Sequence, residues 1–363
     1  MQCTEKADRK REGILELKTV NEQRAAFNTQ VYVKMSDVTT FSTPVHNLKK
    51  TRVSLNDSMS SSPMINIPPS PFLKKLGWGT GISVYLYERS PKGDGSGRSP
   101  WAVKKLYKKS VVSAEVMSER LEFEAGILKK VHHPNIVGFR GYSKDKKGSP
   151  YLIMENGEKN LYDLIEARIE ENKGHFPAKH IHKVAVSILS ALKYLHTEQK
   201  LLHGDIKSAN VLVIGDFDSV KLCDFGVSLK LKDDLSGLKD PDDRYIGTPA
   251  WSCMEAIESH PITDKADIYA FGLVLWEMIT LLVPHTLDYE SSEDEESFDE
   301  DAESFDEDAS QCLFGTRPPL PDCNFGPEYQ PLLELITTCT DENPDLRPSA
   351  SLGLEALQSI DTI

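Results

Sequence analysis

The sequence lacks several features that define whole classes of protein. Its six cysteines form no C-x-x-C pair or regular framework, which favours reduced thiols over disulfides or a zinc site. No run approaches about 18 uninterrupted apolar residues, so no membrane span is expected. Residues 1–11 are polar and charged, without the apolar region of a secretory signal. These absences predict a protein of the cytoplasm, the nucleus or both, with no membrane partner.

A general excess of positive charge is also missing. The net charge is −14, and residues 288–308 hold 13 Asp and Glu residues and no Lys or Arg, so the rest of the chain carries −1. A near-neutral remainder offers no basic surface to a nucleic-acid partner. The acidic stretch repeats Glu-Ser-Phe-Asp-Glu-Asp-Ala in tandem at 296–309. Such dense like charge predicts a solvated insert, which we place at 288–310.

Residues 1–70 are rich in Ser, Thr, Lys and Pro and have no sustained periodicity, which predicts a disordered tail. Within it, Thr43, Ser62 and Ser70 each precede a proline and are candidate sites for an upstream proline-directed kinase. The alternative is that such pairs are simply common in disordered segments.

Regular secondary-structure patterns begin near Phe72, and strands come before helices. The strand patterns lie at 76–87, 101–106 and 151–155, and the helical patterns at 116–131, 178–196 and 268–282. This order predicts an α+β fold of two lobes with a cleft between them. We place the domain at 71–358, with lobes at about 71–156 and 157–358 and a short tail at 359–363.

A glycine-rich segment, Leu-Gly-Trp-Gly-Thr-Gly at 76–81, separates the first two predicted strands. Glycines allow backbone N–H groups to face phosphate oxygens, because no Cβ intervenes. The signal is weak alone, since a glycine-rich hairpin is more often only a turn. A dinucleotide-binding fold would need a helix next, whereas residues 83–86 read as a strand.

Lys104 ends an apolar strand pattern and can reach the α- and β-phosphates of a nucleotide, with Glu124 on the next helix to hold it. On their own, two surface charges are the commoner interpretation. The segment 203–210, His-Gly-Asp-Ile-Lys-Ser-Ala-Asn, changes this balance. Asp205 would orient the attacking hydroxyl, and Lys207 would neutralise the γ-phosphate.

A metal site is predicted from the same region. Asn210 offers an amide oxygen, and Asp224, in Asp-Phe-Gly at 224–226, offers a carboxylate. Both are hard ligands suited to Mg²⁺ on a triphosphate. This combination of carboxylates and amide at such spacing rarely arises by chance.

These motifs resemble those of the protein kinase family, and of MAP kinase kinases in particular, over about residues 72–357. The roles given above to Asp205, Lys207, Asn210 and Asp224 are those that this resemblance implies. The resemblance extends to His-Pro-Asn-Ile-Val at 133–137, Gly-Thr-Pro at 247–249, Asp-Ile-Tyr-Ala-Phe-Gly at 267–272 and Arg-Pro at 347–348. It implies the two-lobed protein kinase fold, ATP and Mg²⁺ as cofactors, and transfer of the γ-phosphate to serine or threonine of protein substrates.

The resemblance also implies roles for single residues. Glu255 is expected to pair with Arg347 and to fasten the substrate-binding segment to the helical lobe. Met154 is expected to guard the pocket behind adenine, and backbone atoms of Glu155 and Gly157 to pair with the base. The implied ATP site consists of Leu76, Gly77, Gly79, Gly81, Val84, Ala102, Lys104, Met154, Glu155, Gly157 and Leu212.

Three positions depart from the family pattern. Ile82 replaces the third glycine of the loop, just after Gly81, so a looser grip on the phosphates is expected. Residues 253–255, Cys-Met-Glu, keep only the glutamate of Ala-Pro-Glu. Gly204 replaces the arginine that normally receives a phosphate on the activation segment, which weakens that switch.

We therefore hypothesise that tail phosphorylation or partner docking controls activity more than the activation segment does. Ser228, Ser236 and Tyr245 are the candidate phosphorylation sites on that segment. Lys207 and Gly-Thr-Pro at 247–249 are the pattern of serine/threonine kinases, and Thr248 is interpreted as structural. The likeness to MAP kinase kinases admits dual specificity and MAP kinases as substrates, in mitotic or MAP kinase signalling.

The chain ends Ile360-Asp361-Thr362-Ile363. The resemblance implies a PDZ domain as a partner here, in which a Ser or Thr two residues before the end contacts the domain. Asp361 holds that position, so only a weaker acidic-type ligand fits, and a frayed terminus is the preferred interpretation.

Two other functions stay open. A kinase-like scaffold or pseudokinase would bind partners without turnover, and Gly204 and Ile82 favour it. A phosphotransferase for a small molecule is opposed by the activation segment and by the pairing of Glu255 with Arg347. The catalytic residues that a dead kinase usually loses are all present: Lys104, Glu124, Asp205, Lys207, Asn210 and Asp224.

Overall fold

The computed structural model describes residues 73–79, 81–92, 96–106, 113–285, 314–321 and 323–358. The N-terminal tail at 1–70, the acidic insert at 288–310 and the C-terminal tail at 359–363 lie outside these residues. The expectations for Thr43, Ser62, Ser70 and Asp361 therefore stay predictions.

The N-terminal part is built on one five-stranded antiparallel sheet. Its strands are β1 (Lys74–Gly79), β2 (Ile82–Tyr87), β3 (Trp101–Leu106), β4 (Phe139–Lys144) and β5 (Pro150–Glu155). Their order is β1-β2-β3-β5-β4, so β3 lies at the centre. Gly81 begins the return to β2 with φ +78°, a conformation that glycine adopts without a steric cost.

Helix α1 (Ala114–Leu128) packs against β4 and β5. The side chain of Ser113 caps its first turn by accepting from the N–H of Val116. Its buried face consists of Met117, Leu121, Glu124, Ala125 and Leu128. Ile127, which the sequence pattern also placed inside, is only half-buried. A carboxylate within the buried face signals that Glu124 has a partner in the interior.

The C-terminal part is mainly helical. It contains α2 (Leu161–Glu170), α3 (Ala178–Lys193), α4 (Met254–Ile257), α5 (Lys265–Thr280), α6 (Gln330–Cys339) and α7 (Ala350–Gln358). Helix α5 is buried on all sides from Ala266 to Ile279, because α3 and α6 both pack against it. In the described part of the chain, no helix is long and apolar enough to cross a membrane.

Two small sheets position the loops that face the N-terminal sheet. One contains β6 (Lys159–Asn160), β8 (Val211–Ile214) and β9 (Ser219–Leu222), and the other pairs β7 (Leu201–Leu202) with β10 (Leu229–Lys230). Asn135, in the loop after α1, donates to the carbonyl of Val220 at 2.9 Å, and its own carbonyl accepts from Leu222 at 2.9 Å. These two hydrogen bonds connect the N-terminal, strand-rich part of the domain to the C-terminal, helical part.

A strand-rich part followed by a helical part confirms the predicted α+β, two-lobed fold. The boundaries of β3 agree with the sequence pattern, and the other elements shift by a few residues. The pattern at 178–196 divides into α3 and a π-helical turn, Tyr194–Gln199, which ends at Lys200 with φ +50°. The left-handed residue at 200 redirects the chain into β7.

Candidate active site

The centre of the candidate site is the ammonium group of Lys104 on β3. Its Nζ lies 2.7 Å from Oε2 of Glu124 on α1 and 2.8 Å from Oδ1 of Asp224, which follows β9. Lys104 and Glu124 are buried, whereas 43 % of the Asp224 side chain is exposed. Val84 pairs with Lys104 across β2 and β3, so both lie on the same face of the sheet.

Burial and charge act against each other on these groups. Burial disfavours the ammonium of Lys104, but the carboxylates of Asp224 and Glu124 outweigh it and raise the pKa of Lys104. Burial also disfavours the Asp224 carboxylate, yet the charge of Lys104 lowers the pKa of Asp224 to about 2. For Glu124 burial dominates and raises the pKa to about 7. At neutral pH the site therefore keeps a charged lysine and an ionised Asp224.

The carboxylate of Asp205, in the loop after β7, is held on both oxygens. Its Oδ1 accepts from the hydroxyl of Thr248 at 2.6 Å and from the Thr248 N–H at 3.2 Å. Its Oδ2 lies 2.9 Å from Nζ of Lys207 and accepts from Nδ2 of Asn210 at 3.0 Å. Lys207 also donates to the Thr248 hydroxyl at 2.6 Å. Thr248 thus bridges the carboxylate and the lysine.

Hydrogen bonds to the backbone of Cys223 connect the part of the site around Asp224 with the part around Asp205. The N–H of Cys223 donates to the carbonyl of Asn210 at 3.0 Å. The ring Nε2 of His203 lies 3.1 Å from the carbonyl of Cys223. Because Cys223 directly precedes Asp224, these contacts place Asp205, Asn210 and Asp224 in one connected network.

Two oxygen atoms in this network are suited to a divalent metal. The amide nitrogen of Asn210 donates to Asp205, and Oδ1 of Asp224 binds Lys104. Within the described ranges no donor is bonded to the amide oxygen of Asn210 or to Oδ2 of Asp224. In the same ranges, no group of three or more His, Cys, Asp or Glu side chains could hold a metal ion by itself. Mg²⁺ commonly takes one or two protein oxygens and completes its shell with phosphates and water. The donor set fits a metal carried by a nucleotide.

The residues expected to enclose the adenine lie at the end of β5 and on β8. Ala102 and Met154 are buried and face each other across β3 and β5. A Cβ at Gly157 would come within 2.6 Å of Leu212, so this close approach requires glycine. The N–H of Glu155 donates to the carbonyl of Gly138, just before β4, at 2.8 Å, so this N–H is already used within the protein.

The expected phosphate loop is the turn between β1 and β2. Gly77 and Gly79 lie on β1, and Gly81 follows the undescribed residue 80. Leu76, in the middle of β1 where the register with β2 shifts, is 40 % exposed. Ile82 is the first residue of β2 and pairs with Gly79, so the residue that replaces the third glycine belongs to a strand.

Comparison with known proteins identifies the family. The protein kinase domain model matches residues 71–357. The chain belongs to the protein kinase family. This confirms the family resemblance drawn from the motifs, and members of the family use ATP with a divalent metal ion.

Individual relatives agree with this assignment. The kinase is 47 % identical over 335 residues to the human lymphokine-activated killer T-cell-originated protein kinase, covering 90 % of this chain and 99 % of that protein. It is 33 % identical to the dual specificity protein kinase shkA of Dictyostelium discoideum, over 65 % of this chain and 41 % of the relative. It is also 33 % identical to the mitogen-activated protein kinase kinase kinase 13-B of Xenopus laevis, over 50 % of this chain and 18 % of the relative. The chain therefore spans less than half of the latter two proteins.

The activation segment of this kinase, residues 224–255, is held by backbone pairing with β7 and by pairing within the segment itself. Strand β10 pairs with β7, and Leu231 pairs with Leu238 to close a short hairpin. Ser228 is buried, and its Oγ donates to the carbonyl of His203 at 2.9 Å. In this conformation the Ser228 hydroxyl is shielded from solvent, and its phosphorylation stays a prediction. Ser236, in the hairpin turn, is exposed.

Gly204 has φ +80°, and its N–H donates to Oδ1 of Asp267 at 2.9 Å. A Cβ at this position would lie 3.0 Å from the carbonyl oxygen of Val227. Gly204, which replaces the arginine usual in the family, is therefore packed closely against the activation segment at Val227. Tyr245 is half-buried, and its hydroxyl lies next to Gly247 rather than in open solvent.

The segment that would dock the substrate is fixed to the helical lobe by an ion pair. Nη1 and Nη2 of Arg347 donate to the two carboxylate oxygens of Glu255 at 2.5 and 3.0 Å. Both residues are buried. The structure thus brings together the two residues that the family resemblance paired.

Sequence reasoning quoted Asp267 but gave it no role. Its Oδ2 accepts from the N–H of His203 at 2.8 Å and lies 2.8 Å from Nε2 of His196, while Oδ1 holds Gly204. Burial opposes the ionised form, but these partners, His196 first, lower the pKa of Asp267. The available signal was an acidic residue directly before the apolar pattern at 268–282, because an acid next to a buried segment is rarely buried without partners.

Proposed function

We propose that this chain is a serine/threonine protein kinase that transfers the γ-phosphate of Mg²⁺·ATP to protein hydroxyls. The observation that carries the proposal is the single network that runs from Glu124 and Lys104 through Asp224 to Asp205. Phosphoryl transfer depends on positioning and charge stabilisation more than on covalent chemistry. A set of two lysines, three carboxylates and one amide, held by mutual contacts, supplies both.

Each side chain has a distinct role in this proposal. Lys104, held by Glu124, binds the α- and β-phosphates, and Lys207 neutralises charge developing on the γ-phosphate. Asn210 and Asp224 hold the Mg²⁺, which screens the phosphate charges when it is bound. Asp205 orients the substrate hydroxyl and accepts its proton.

Specificity for serine and threonine is supported by the contact of Lys207 with Thr248. Nζ of Lys207 donates to the hydroxyl of Thr248 at 2.6 Å, and both groups contact the carboxylate of Asp205. A lysine two residues after the catalytic aspartate is the pattern of serine/threonine kinases, and the family resemblance carries the assignment to this chain. The relatives named as dual specificity and MAP kinase kinase kinases make MAP kinase cascade proteins reasonable substrates to test first.

A pseudokinase scaffold is the second candidate, favoured by Gly204 and Ile82. It predicts nucleotide or partner binding without turnover. Against it stands the complete polar set, because each of Lys104, Asp205 and Asp224 is already oriented by protein partners. We rank it below the enzyme.

The test is transfer of labelled γ-phosphate to generic protein substrates, followed by analysis of the phosphorylated amino acids. We expect phosphoserine and phosphothreonine from the wild type and a loss on the order of a hundredfold or more in Lys104→Met. Lys105→Met is the matched control, because Nζ of Lys105 lies 5.8 Å from the centre of the Tyr151 ring, away from the site. It should stay within about twofold of wild type. Phosphotyrosine as the sole product would overturn the assigned specificity.

A further inference from the structure

A cavity of about 240 Å³ lies where the loop after α1 meets β4, the end of β5 and β9. Its apolar lining includes Val131, Ile136 and Phe139, and its basic lining includes Arg140 and Lys221. Of the residues expected to enclose ATP, only Glu155 also lines this cavity. The cavity is therefore distinct from the nucleotide site, and the proposed phosphoryl transfer makes no use of it.

Basic side chains gather at this cavity, although the chain outside the acidic insert is nearly neutral as a whole. The side chains of Arg140 and Lys221 are 40 % and 14 % exposed. Lys129 and Lys130, which follow α1 beside the cavity, are both exposed. The carboxylate in the lining is that of Glu155, whose Oε2 lies 3.2 Å from Nζ of Lys221 and 3.9 Å from Nη2 of Arg140. The excess of positive charge suits an acidic ligand.

The size of the cavity and its apolar wall define the ligand further. Val131 and Ile136 are buried, and Phe139 is half-buried. Sites that enclose a whole drug-sized molecule have volumes of roughly 300–1,000 Å³, so this smaller cavity suits one large side chain. An aromatic ring would also lie near the guanidinium of Arg140, which attracts the face of a ring. The cavity thus fits an aromatic side chain that has carboxylates on either side.

The acidic insert of this chain has the same chemistry. Its tandem repeat, Glu-Ser-Phe-Asp-Glu-Asp-Ala, contains one large apolar side chain per copy, which is Phe298 in the first copy and Phe305 in the second. Acidic residues lie on both sides of each phenylalanine. No Lys or Arg occurs between 288 and 308, so nothing in the repeat opposes binding to a basic surface.

Helix α3 leads from the region where α5 ends to the cavity. The N–H of Phe176, just before α3, donates to the carbonyl of Met278 on α5 at 3.0 Å. At the other end of α3, the hydroxyl of Tyr194 accepts from the N–H of His132 in the cavity lining at 3.1 Å. The 16 residues of α3 cover about 24 Å.

The chain on either side of the repeat is long enough to cover this distance. His285 and Phe314, the described residues that flank the insert, have ring centres 5.8 Å apart. Phe298 lies 13 residues after His285, and Phe305 lies nine residues before Phe314. At about 3.3 Å per extended residue, these segments reach about 43 and 30 Å. Both values exceed the length of α3.

We propose that the cavity formed by the loop after α1, β4 and β9 is a docking site for the acidic insert of the same chain, with Phe298 or Phe305 in the cavity and the flanking carboxylates at Arg140 and Lys221. The inference concerns an intramolecular contact and does not rest on phosphoryl transfer. It assigns an occupant to a surface outside the active site.

The test uses a dye-labelled peptide with the sequence of residues 296–309 and measures its binding to full-length chains by fluorescence anisotropy. The anchorless chain, which carries Phe298→Ser and Phe305→Ser together, leaves the cavity open to the peptide. Arg140→Glu in the anchorless chain reverses one charge at the cavity. Lys147→Glu, at an exposed position in the turn between β4 and β5, is the matched control. A second peptide with serine at both phenylalanine positions tests the aromatic side chain without altering the protein.

We expect the anchorless chain to bind the peptide at least about tenfold more tightly than wild type, because the tethered insert competes at a high effective concentration. Arg140→Glu should weaken binding at least about fivefold, since it places like charges together. Lys147→Glu should stay within about twofold. The serine peptide should bind at least about tenfold more weakly than the phenylalanine peptide. These measurements belong at about 0.15 M salt, where distant surface charges are screened.

Absence of peptide binding to the anchorless chain would overturn the proposal. Equal weakening by Arg140→Glu and Lys147→Glu would overturn it too, because only general charge attraction would then be present. Equal binding of the serine and phenylalanine peptides would exclude an aromatic side chain in the cavity. Equal affinities of wild type and the anchorless chain would show that the insert does not occupy the cavity of its own chain, and would overturn the proposal in favour of a partner or a second copy.

Discussion

Arg347 and Glu255 lie 92 residues apart in sequence and form a buried, two-pronged ion pair. The remaining guanidinium N–H groups donate to the carbonyls of Asp341, Lys265 and Glu342 at 2.7, 3.1 and 3.2 Å. All five N–H donors of the arginine therefore have an acceptor. Such complete satisfaction is what makes a buried charge tolerable.

Removal of one member of this pair should be strongly destabilising. Arg347→Met leaves Glu255 buried without its partner, so we expect the free energy of unfolding to fall by about 3–5 kcal/mol. Denaturant unfolding measures this change. Arg140→Met is the control, because Arg140 lies 3.9 Å from Glu155 and is 40 % exposed, and its loss should cost less than about 1 kcal/mol. An equal loss of unfolding free energy in Arg347→Met and Arg140→Met would contradict the claim that the buried pair stabilises the fold more than an exposed one.

The free energy of unfolding should depend on pH through Glu277. This residue is buried on α5, where its carboxyl oxygens contact the hydroxyl of Ser208 and Nε1 of Trp251. Burial raises the pKa of Glu277 to about 8 in the folded chain, against an ordinary value of 4.5. The folded state therefore holds the proton more tightly than the unfolded state. The resulting stabilisation is complete below pH 4.5 and is lost as the pH rises through 8.

The prediction is that wild type loses unfolding free energy more steeply than Glu277→Gln between pH 5 and pH 8. The glutamine variant cannot titrate, so it serves as the reference for all other groups, including Glu124. Unfolding measured at several pH values in this window provides the comparison. Parallel curves for the two proteins would show that Glu277 does not titrate as described.

Gly204 should resist substitution for two separable reasons. Its φ of +80° strains any residue with a Cβ, and that Cβ would meet the carbonyl oxygen of Val227 at 3.0 Å. Gly148 has φ +84° with nothing near its Cβ position. Gly148→Ala should therefore cost about 1–2 kcal/mol of unfolding free energy, and Gly204→Ala should cost more. Equal losses of unfolding free energy in the two variants would show that the contact with Val227 adds nothing to the cost.

Activity should not require a phosphate on the activation segment. Pairing of β7 with β10 and the bond from Ser228 to His203 order the segment without one. Phosphatase-treated wild type and Ser236→Ala should both retain transfer activity, whereas Ser228→Ala should reduce it by loosening the anchor. Transfer assays on the three proteins test this. A treated wild type that regained activity only through phosphorylation of Ser236 would refute the expectation.

Local pattern and motif spacing predicted much of this molecule. The strand at 101–106 has the predicted limits, because its alternating apolar residues fit a central strand. Lys104 and Glu124 meet as the sequence suggested, whereas the contact of Lys104 with Asp224 was not predicted. The closeness of Gly157 to Leu212 shows why a glycine stands at this position of the expected adenine site.

Other features depended on tertiary contacts that no local pattern reveals. Burial of Ser228 follows from the two-residue pairing of β10 with β7, which is too short to leave a periodic signal. The partners of Glu277 lie 69 and 26 residues away. An acid within the apolar pattern at 268–282 could have flagged Glu277 as buried, and an acid directly before it could have flagged Asp267, but not which donors they bind.

The central claim is that the network around Asp205 transfers phosphate. The most direct measurement compares γ-phosphate transfer and nucleotide binding in wild type, Asp205→Ala and the exposed control Asp216→Ala, at saturating Mg²⁺ and ATP. We predict unchanged nucleotide binding in all three, wild-type transfer in Asp216→Ala, and a loss on the order of a thousandfold in Asp205→Ala. Nucleotide binding by wild type without any transfer, or full activity in Asp205→Ala, would contradict the account.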